Sequence, residues 1–308
     1  MIRLKEIGLA LTLLLFVSAC GGSTDHSNEN ASADVELSGT DYLITIKTVL
    51  GEMKAVLFDD TPQHKANFLK LVREGYYDSL AFHRVIEGFM VHGGDPESKN
   101  AGPSTPLGTG GPGYTIPAEF NDKFFHRKGA LSAARQPDNV NPEKASNGSQ
   151  FYLVQGQVID ETNMGQFSGV NRAAIGEAFQ ELRNNYPDHE LNERFQAAYE
   201  EGGDQAVNDV VMESLDELSS LTGIVLTQPE MEEYKKEDYM TVGGTPFLDG
   251  DYTVFGQVID GLDIIDAIAA VQTGPGDRPV DDVRMYMSVE ELPRQKIYEK
   301  YGYDFNIQ

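Results

Sequence analysis

The run Phe82-His83-Arg84-Val85-Ile86-Glu87-Gly88-Phe89-Met90-Val91-His92-Gly93-Gly94-Asp95 constrains this chain more than any other stretch. It sets one permanent cation, Arg84, among large apolar side chains. A guanidinium keeps its charge throughout the physiological pH range. Beside an apolar slot, it suits a neutral, bulky substrate.

The 308 residues allow one large domain or two modest ones, at ~100–200 residues per domain, and 40% apolar content is enough for a core. The formal charge of −25 excludes a nucleic-acid partner, because attraction to a phosphate backbone needs clustered Lys and Arg. So much acid reads as solubility and self-repulsion. No spaced Asp/Asn loop ending in Glu points to calcium. The six His residues show no pair at ligand spacing and Cys20 is the one cysteine, so neither a metal nor a cofactor is expected.

Arg3 and Lys5 precede an apolar run from Ile7 to Val17. That run is too short to span ~30 Å of hydrocarbon, so residues 1–19 read as a signal peptide. Val17-Ser18-Ala19-Cys20-Gly21 resembles a bacterial lipobox, which implies a lipid on the Cys20 thiol and an anchor in the cell envelope, at the outer membrane on its periplasmic or surface side. Removing residues 1–19 deletes Arg3, Lys5 and Glu6, a net +1, and leaves −25 − 1 = −26. Such a chain is repelled by an anionic membrane surface and meets the membrane through the lipid alone. Residues 20–41, rich in Gly, Ser, Asn, Asp and Glu, read as a flexible tether. With its cysteine lipidated, the mature protein has no disulfide and depends on packing.

Leu43–Ile46 and Ala55–Phe58 flank Leu50-Gly51-Glu52 and read as a hairpin. Asp60-Thr61-Pro62 opens a helix through a capping residue ahead of proline, with Phe68, Leu71 and Val72 at helical spacing and Gly75 as its stop. Another helix is expected over 261–270. Residues 157–242 show helical periodicity at Ile175, Phe179, Leu182 and Tyr186, then at Leu191, Phe195 and Tyr199, then at Val207, Val211, Leu215 and Leu218. Asp188 and Asp204 are N-cap candidates, and Gly202 and Gly223 are stops. This segment holds 19 acidic and 5 basic residues, a net −14 and thus more than half of the chain's charge. Helices of ~10–15 residues are marginal alone, so their apolar stripes must bury against one another and against the rest of the protein.

The opening run resembles the signature of the cyclophilins, peptidyl-prolyl cis/trans isomerases, and further segments agree in order. These are Thr61-Pro62 with Asn67-Phe68, Gly108-Thr109-Gly110-Gly111, Leu131-Ser132 with Asn147-Gly148-Ser149-Gln150-Phe151-Tyr152, and Phe247-Leu248-Asp249-Gly250 with Val254-Phe255-Gly256-Gln257-Val258. The resemblance covers 42–156 and 243–290. It implies a mainly β fold, a closed eight-stranded antiparallel barrel with two flanking helices. Residues 157–242 are then a helical insertion rooted beside the substrate groove, and 291–308 a C-terminal extension, a short helix packed outside. The insertion is read as a stabilising appendage, a lid for clients, or a docking surface for a protein partner.

The resemblance also implies the site. Arg84, Gln150 and His92 take the catalytic positions. Phe82, Phe89, Met90, Ala134, Arg135, Tyr152, Phe247, Leu248 and Tyr252 take the substrate-binding ones, with proline-containing polypeptides as clients of a monomeric enzyme. Phe247 and Tyr252 stand where many eukaryotic members carry Trp and His. Tyr152 replaces Phe and adds a hydroxyl that needs a partner. His92 replaces Gln, whose oxygen accepts from the catalytic guanidinium. Imidazole accepts only when neutral, so activity is expected to fall as pH drops through ~6.5. A reading from another class is a proline-peptide-binding holdase in which catalysis is incidental. Gly108-x-Gly110-x-x-Gly113 matches a dinucleotide fingerprint in letters alone, since Tyr114-Thr115-Ile116-Pro117 cannot begin a helix.

Overall fold

The computed structural model describes residues 37–305. The segment read as a signal peptide, Cys20 and most of the segment read as a tether lie outside the described residues.

Strands β1 (Thr40–Thr48) and β2 (Gly51–Leu57) form the expected hairpin, with Thr48 opposite Gly51. Strand pairing therefore begins at Thr40, inside the segment read as tether. Helix α1 (Pro62–Arg73) starts at its proline, but Thr61 makes no side-chain cap. The carboxylate of Glu119 takes that role, accepting the backbone N–H groups of Gln63 and His64 at 3.0 Å each. A helix N-terminus has orphan donors that favour an anion, and here the anion comes from 55 residues away.

Strands β3 (Arg84–Ile86) and β4 (Met90–Gly93) are joined by a turn in which Gly88 has φ 75°, a value open to glycine. The remaining long strands are β6 (Ala130–Arg135), β7 (Ser146–Val154), β10 (Val254–Asp260) and β11 (Tyr286–Pro293), and β5 (Thr115–Ile116) is a short addition. All pairings are antiparallel. The order is β11-β1-β2-β10-β6-β7-β4-β3, with β5 on β7.

This order corrects the expected closed eight-stranded barrel. The sheet has nine strands, eight of them along an open path whose edges are β3 and β11 and the ninth, β5, off that path on β7. β3 is three residues long, and the chain before it touches the segment leading into β11 through single hydrogen bonds and one isolated bridge, Ala81 with Arg284. No ladder joins the two edges.

Side chains alternate across a strand, and the two faces of the sheet bury different sets. Phe151 and Leu153 of β7, Val91 of β4 and Leu131 of β6 join the main core with Phe68 and Leu71 of α1 and with Ile265 and Ile268 of α7 (Leu262–Ala269). Met90, Tyr152, Val154, Ala130 and Ala134 project to the other face and form a second cluster. Helix α8 (Arg294–Tyr301) follows β11 directly and buries Ile297 against Leu43 and Val56. The strand thus runs past residue 290, and the helix of the C-terminal extension begins only at Arg294.

Residues 157–242 contain α2 (Glu161–Met164), α3 (Arg172–Asn185), α4 (Glu190–Glu213), α5 (Leu215–Thr222) and α6 (Glu233–Thr241), with a two-stranded pair, β8 (Gly169–Val170) and β9 (Thr227–Gln228). Its stripes converge: Ala178, Leu182, Leu191, Phe195, Val211, Leu215, Leu218 and Leu226 form one core of their own. Gly223 ends α5 in the left-handed conformation, as glycine permits. The imidazole of His189, not Asp188, caps α4. Gly203, with φ 64° and ψ −152°, is non-helical, so α4 is two helical stretches joined across a kink, the first ending at Gly202 and the second opening at Asp204. Among the described residues, no helix is long and apolar enough to cross a membrane.

Candidate active site

Strand register assembles the site. Arg84 pairs with His92 across β3 and β4, His92 with Tyr152 across β4 and β7, Tyr152 with Ser132 across β7 and β6, and Ser132 with Val254 of β10. Directly opposed residues share a face, so Arg84, His92 and Tyr152 stand in one row. Around it the second cluster gathers Phe89, Met90, Ala134, Tyr152, Leu248 and Tyr252. Phe247 is 58% exposed and its ring lies 5.6 Å from that of Phe89, at the rim. Arg135 places its guanidinium 4.5 Å from the Tyr252 ring and bonds the Asp251 carbonyl at 2.7 Å. Gln150 is buried and donates to the Gly110 carbonyl at 2.7 Å.

Phe82 does not join this group. It is fully buried in the main core, edge-on to Phe151. The sequence run contains both kinds of position, and Phe82 lies ahead of β3, where the chain turns inward.

The Arg84 side chain is 44% exposed, and its Nε lies 3.4 Å from the Asp277 carboxylate. It borders a cleft of about 980 Å³ with His83, His92, the 103–108 loop and the 274–282 loop. Asp277 has φ 58°, uncommon for a residue with a Cβ. The guanidinium thus pairs with Asp277, where a hydrogen bond to the His92 imidazole was expected. The imidazoles of His83 and His92 lie 4.5 Å apart. Both ring nitrogens of His83 and Nε2 of His92 lack hydrogen-bond partners among the described residues. Burial lowers the His83 pKa to about 4. Desolvation, reinforced by His83 and Arg84, holds His92 well below the usual range. Both rings are therefore neutral at pH 6.5, and the acid-side fall expected there moves to lower pH.

The hydroxyl of Tyr152 has a partner in His126 Nε2 at 3.0 Å. Sequence reading singled out neither His126 nor Asp277. His126 is a lone histidine ahead of β6, and Asp277 sits in a turn-rich segment whose contact with Arg84 no spacing encodes. Among the described residues, no group of three or more His, Cys, Asp or Glu is placed to hold a metal.

A family model described as cyclophilin-type peptidyl-prolyl cis-trans isomerase matches residues 43–167 and 183–289, well over half of the chain. The chain belongs to the cyclophilin-type peptidyl-prolyl cis-trans isomerases. Isomerase activity goes with that membership.

A putative peptidyl-prolyl cis-trans isomerase of Staphylococcus epidermidis is 30% identical over 80% of this chain and 91% of its own length. A putative bifunctional phosphatase/peptidyl-prolyl cis-trans isomerase of Streptococcus pyogenes is 34% identical over 78% of this chain, which spans only 37% of that relative. A crystal structure of a Cryptosporidium parvum cyclophilin-type isomerase aligns over 83% of this chain and 100% of its own, at 19% identity and a TM-score of 0.46. The membership rests on the family model and the curated relatives.

Proposed function

We propose that this cyclophilin turns X-Pro bonds in exported polypeptides by stabilising the twisted amide with Arg84, and that it works from a lipid anchor on Cys20. Rotation of an X-Pro bond sacrifices amide resonance across ~18–20 kcal/mol. It needs no covalent intermediate and no proton transfer. As the amide twists, the prolyl nitrogen becomes pyramidal and gains a lone pair. A fixed donor beside that nitrogen binds the transition state more strongly than the ground state, which is the condition for raising turnover.

The observation that carries the reading is the row Arg84, His92, Tyr152, with a half-exposed guanidinium at one end and a buried apolar wall beside it. Phe89, Met90, Tyr152 and Leu248 seat the proline ring. Gln150 and the Ala134–Arg135 backbone hold the peptide. Asp277 engages Arg84 Nε, and we assign the terminal amines of the guanidinium to substrate. A charge-assisted hydrogen bond contributes ~1.5–3 kcal/mol, so Arg84→Ala should lower kcat/KM for a short X-Pro peptide by about 10- to 100-fold. The variant should keep its fold, because the side chain is not part of a core. A variant with wild-type turnover would remove Arg84 from the mechanism.

The anchor rests on Arg3, Lys5, the Ile7–Val17 run and the Val17–Gly21 sequence. It predicts that Cys20→Ser moves the protein from the membrane fraction of its host cell to the soluble fraction. Unchanged fractionation would contradict lipidation at this residue.

A further inference from the structure

We propose that Tyr239, in the inserted segment, is a positioning residue for the proline seat, acting through Asp249 and His126 on Tyr152. The proposal rests on the reading of Tyr152 and Leu248 as walls of that seat.

The insertion has two parts. Helices α3 to α5 bury their stripes in a core of their own. Helix α6 instead turns Tyr239, fully buried, edge-on to Phe125 of the segment leading into β6, with ring centroids 5.4 Å apart. A buried tyrosine hydroxyl needs a hydrogen-bond partner. That of Tyr239 donates to Asp249 Oδ2 at 2.7 Å. The other oxygen of the same carboxylate accepts the His126 backbone N–H at 2.9 Å and its ring Nδ1 at 2.7 Å. A carboxylate only accepts, so Nδ1 carries a proton, and in the neutral imidazole Nε2 is left with a lone pair. Tyr152 therefore donates its hydroxyl to His126 Nε2, at 3.0 Å.

The chain of bonds is continuous from the insertion to the seat, and its far end holds a ring that faces the other pocket residues. Tyr152 is edge-on to Tyr252 at 6.0 Å and to His92 at 6.5 Å, and lies nearly parallel to His126. Asp249 is also the residue after Leu248, so the carboxylate that Tyr239 and His126 share fixes the loop carrying the second wall. Backbone bonds reinforce the joint: Thr245 donates to the His126 carbonyl at 2.8 Å, and Lys128 to that of Gly243 at 2.8 Å. In a buried network each bond depends on its neighbours. Loss of the Tyr239 hydroxyl is therefore felt at Tyr152, although the two residues do not touch.

None of Tyr239, Asp249 or His126 is paired with Arg84. The network sets where the seat stands, and a seat grips proline alike in ground and transition states. Loss of such uniform binding raises KM and leaves kcat. The test is steady-state isomerisation of a short X-Pro peptide by the full chain. Tyr239→Phe is expected to raise KM about 2- to 10-fold, the range that one net hydrogen bond supplies, with kcat within about two-fold. A merely destabilised variant would show the opposite split, a lower apparent kcat from fewer folded molecules at an unchanged KM.

Tyr152→Phe cuts the far end of the chain, so the double variant should show a sub-additive KM, close to that of Tyr152→Phe alone. If Tyr239→Phe does not fold, Asp249→Asn is read in the same way. An unchanged KM, or strictly additive effects, in an enzyme whose wild type turns over and whose Arg84→Ala variant is impaired, would overturn this inference and leave the isomerase reading standing. A wild type without turnover would overturn both.

Discussion

The sheet and the inserted helices each bury an apolar core, yet they relate to the site differently. In the sheet, one face packs against α1 and α7 while the other buries the cluster proposed as the proline seat, so the same strands carry the main core and the candidate site. Phe151 and Tyr152 are neighbours in β7 and belong to opposite sides of that division. In residues 157–242, α3 to α5 close on themselves, whereas Tyr239 of α6 bonds Asp249, the residue after Leu248. A helical segment can thus bury a core of its own over most of its length and still, on the coupling proposed above, meet the candidate site at one residue.

That contrast can be broken by truncating one residue in each core. Leu153 and Leu182 are both fully buried, and Leu→Ala at such positions costs about 2–5 kcal/mol. In the sheet, Leu153→Ala should remove that much from the global transition and take isomerase activity with it as the midpoint nears the assay temperature. In the insertion, Leu182→Ala should appear as faster amide exchange confined to α3 to α5, with turnover within about two-fold of wild type. Equal loss of activity from both variants would mean that the distal helices and the site are one cooperative unit. The KM effect of Tyr239→Phe comes next in size and marks the single point where the regions are joined.

The smallest effect is on catalysis below neutral pH, where stability and activity should part. His64, His83 and His92 are all shifted down by burial. A histidine whose folded pKa lies below its unfolded value binds its proton first in the unfolded chain, so stability is full above ~6.5 and drains away as pH falls toward the folded value. With His83 at about 4, that group alone should cost about 2 kcal/mol by pH 5. The thermal midpoint should therefore drop between pH 6.5 and 5, and drop less in His83→Leu. Over pH 7 to 5.5, kcat/KM should stay within about two-fold, because burial keeps His92 neutral. A tenfold fall that His92→Gln abolishes would show that the imidazole titrates in place.

Much of this was legible in the chain because it is local. The β1–β2 hairpin, α1 and α7 follow from alternation, proline and helical spacing, and the 82–95 run contains both strands that carry Arg84 and His92. What escaped was set by partners distant in sequence. Thr61 reads as a cap, but its hydroxyl donates to the Phe58 carbonyl and Glu119 accepts the first amides of α1. Closure of the sheet depends on whether two edges meet, which no motif records, and β3 and β11 do not pair. His126, Asp249 and Tyr152 come together across separations of 123 and 26 residues, with no spacing to announce them.

On the proposed mechanism, Arg84 acts in the transition state rather than in binding. The direct measurement is kcat and KM for a short X-Pro peptide in wild type and Arg84→Ala at neutral pH, with folding checked by circular dichroism. The expected result is kcat lowered about 10- to 100-fold, KM near wild type and an unchanged spectrum. A folded variant whose kcat is unchanged while KM rises would contradict it, leaving Arg84 as a contact for the substrate and not the group that turns the bond.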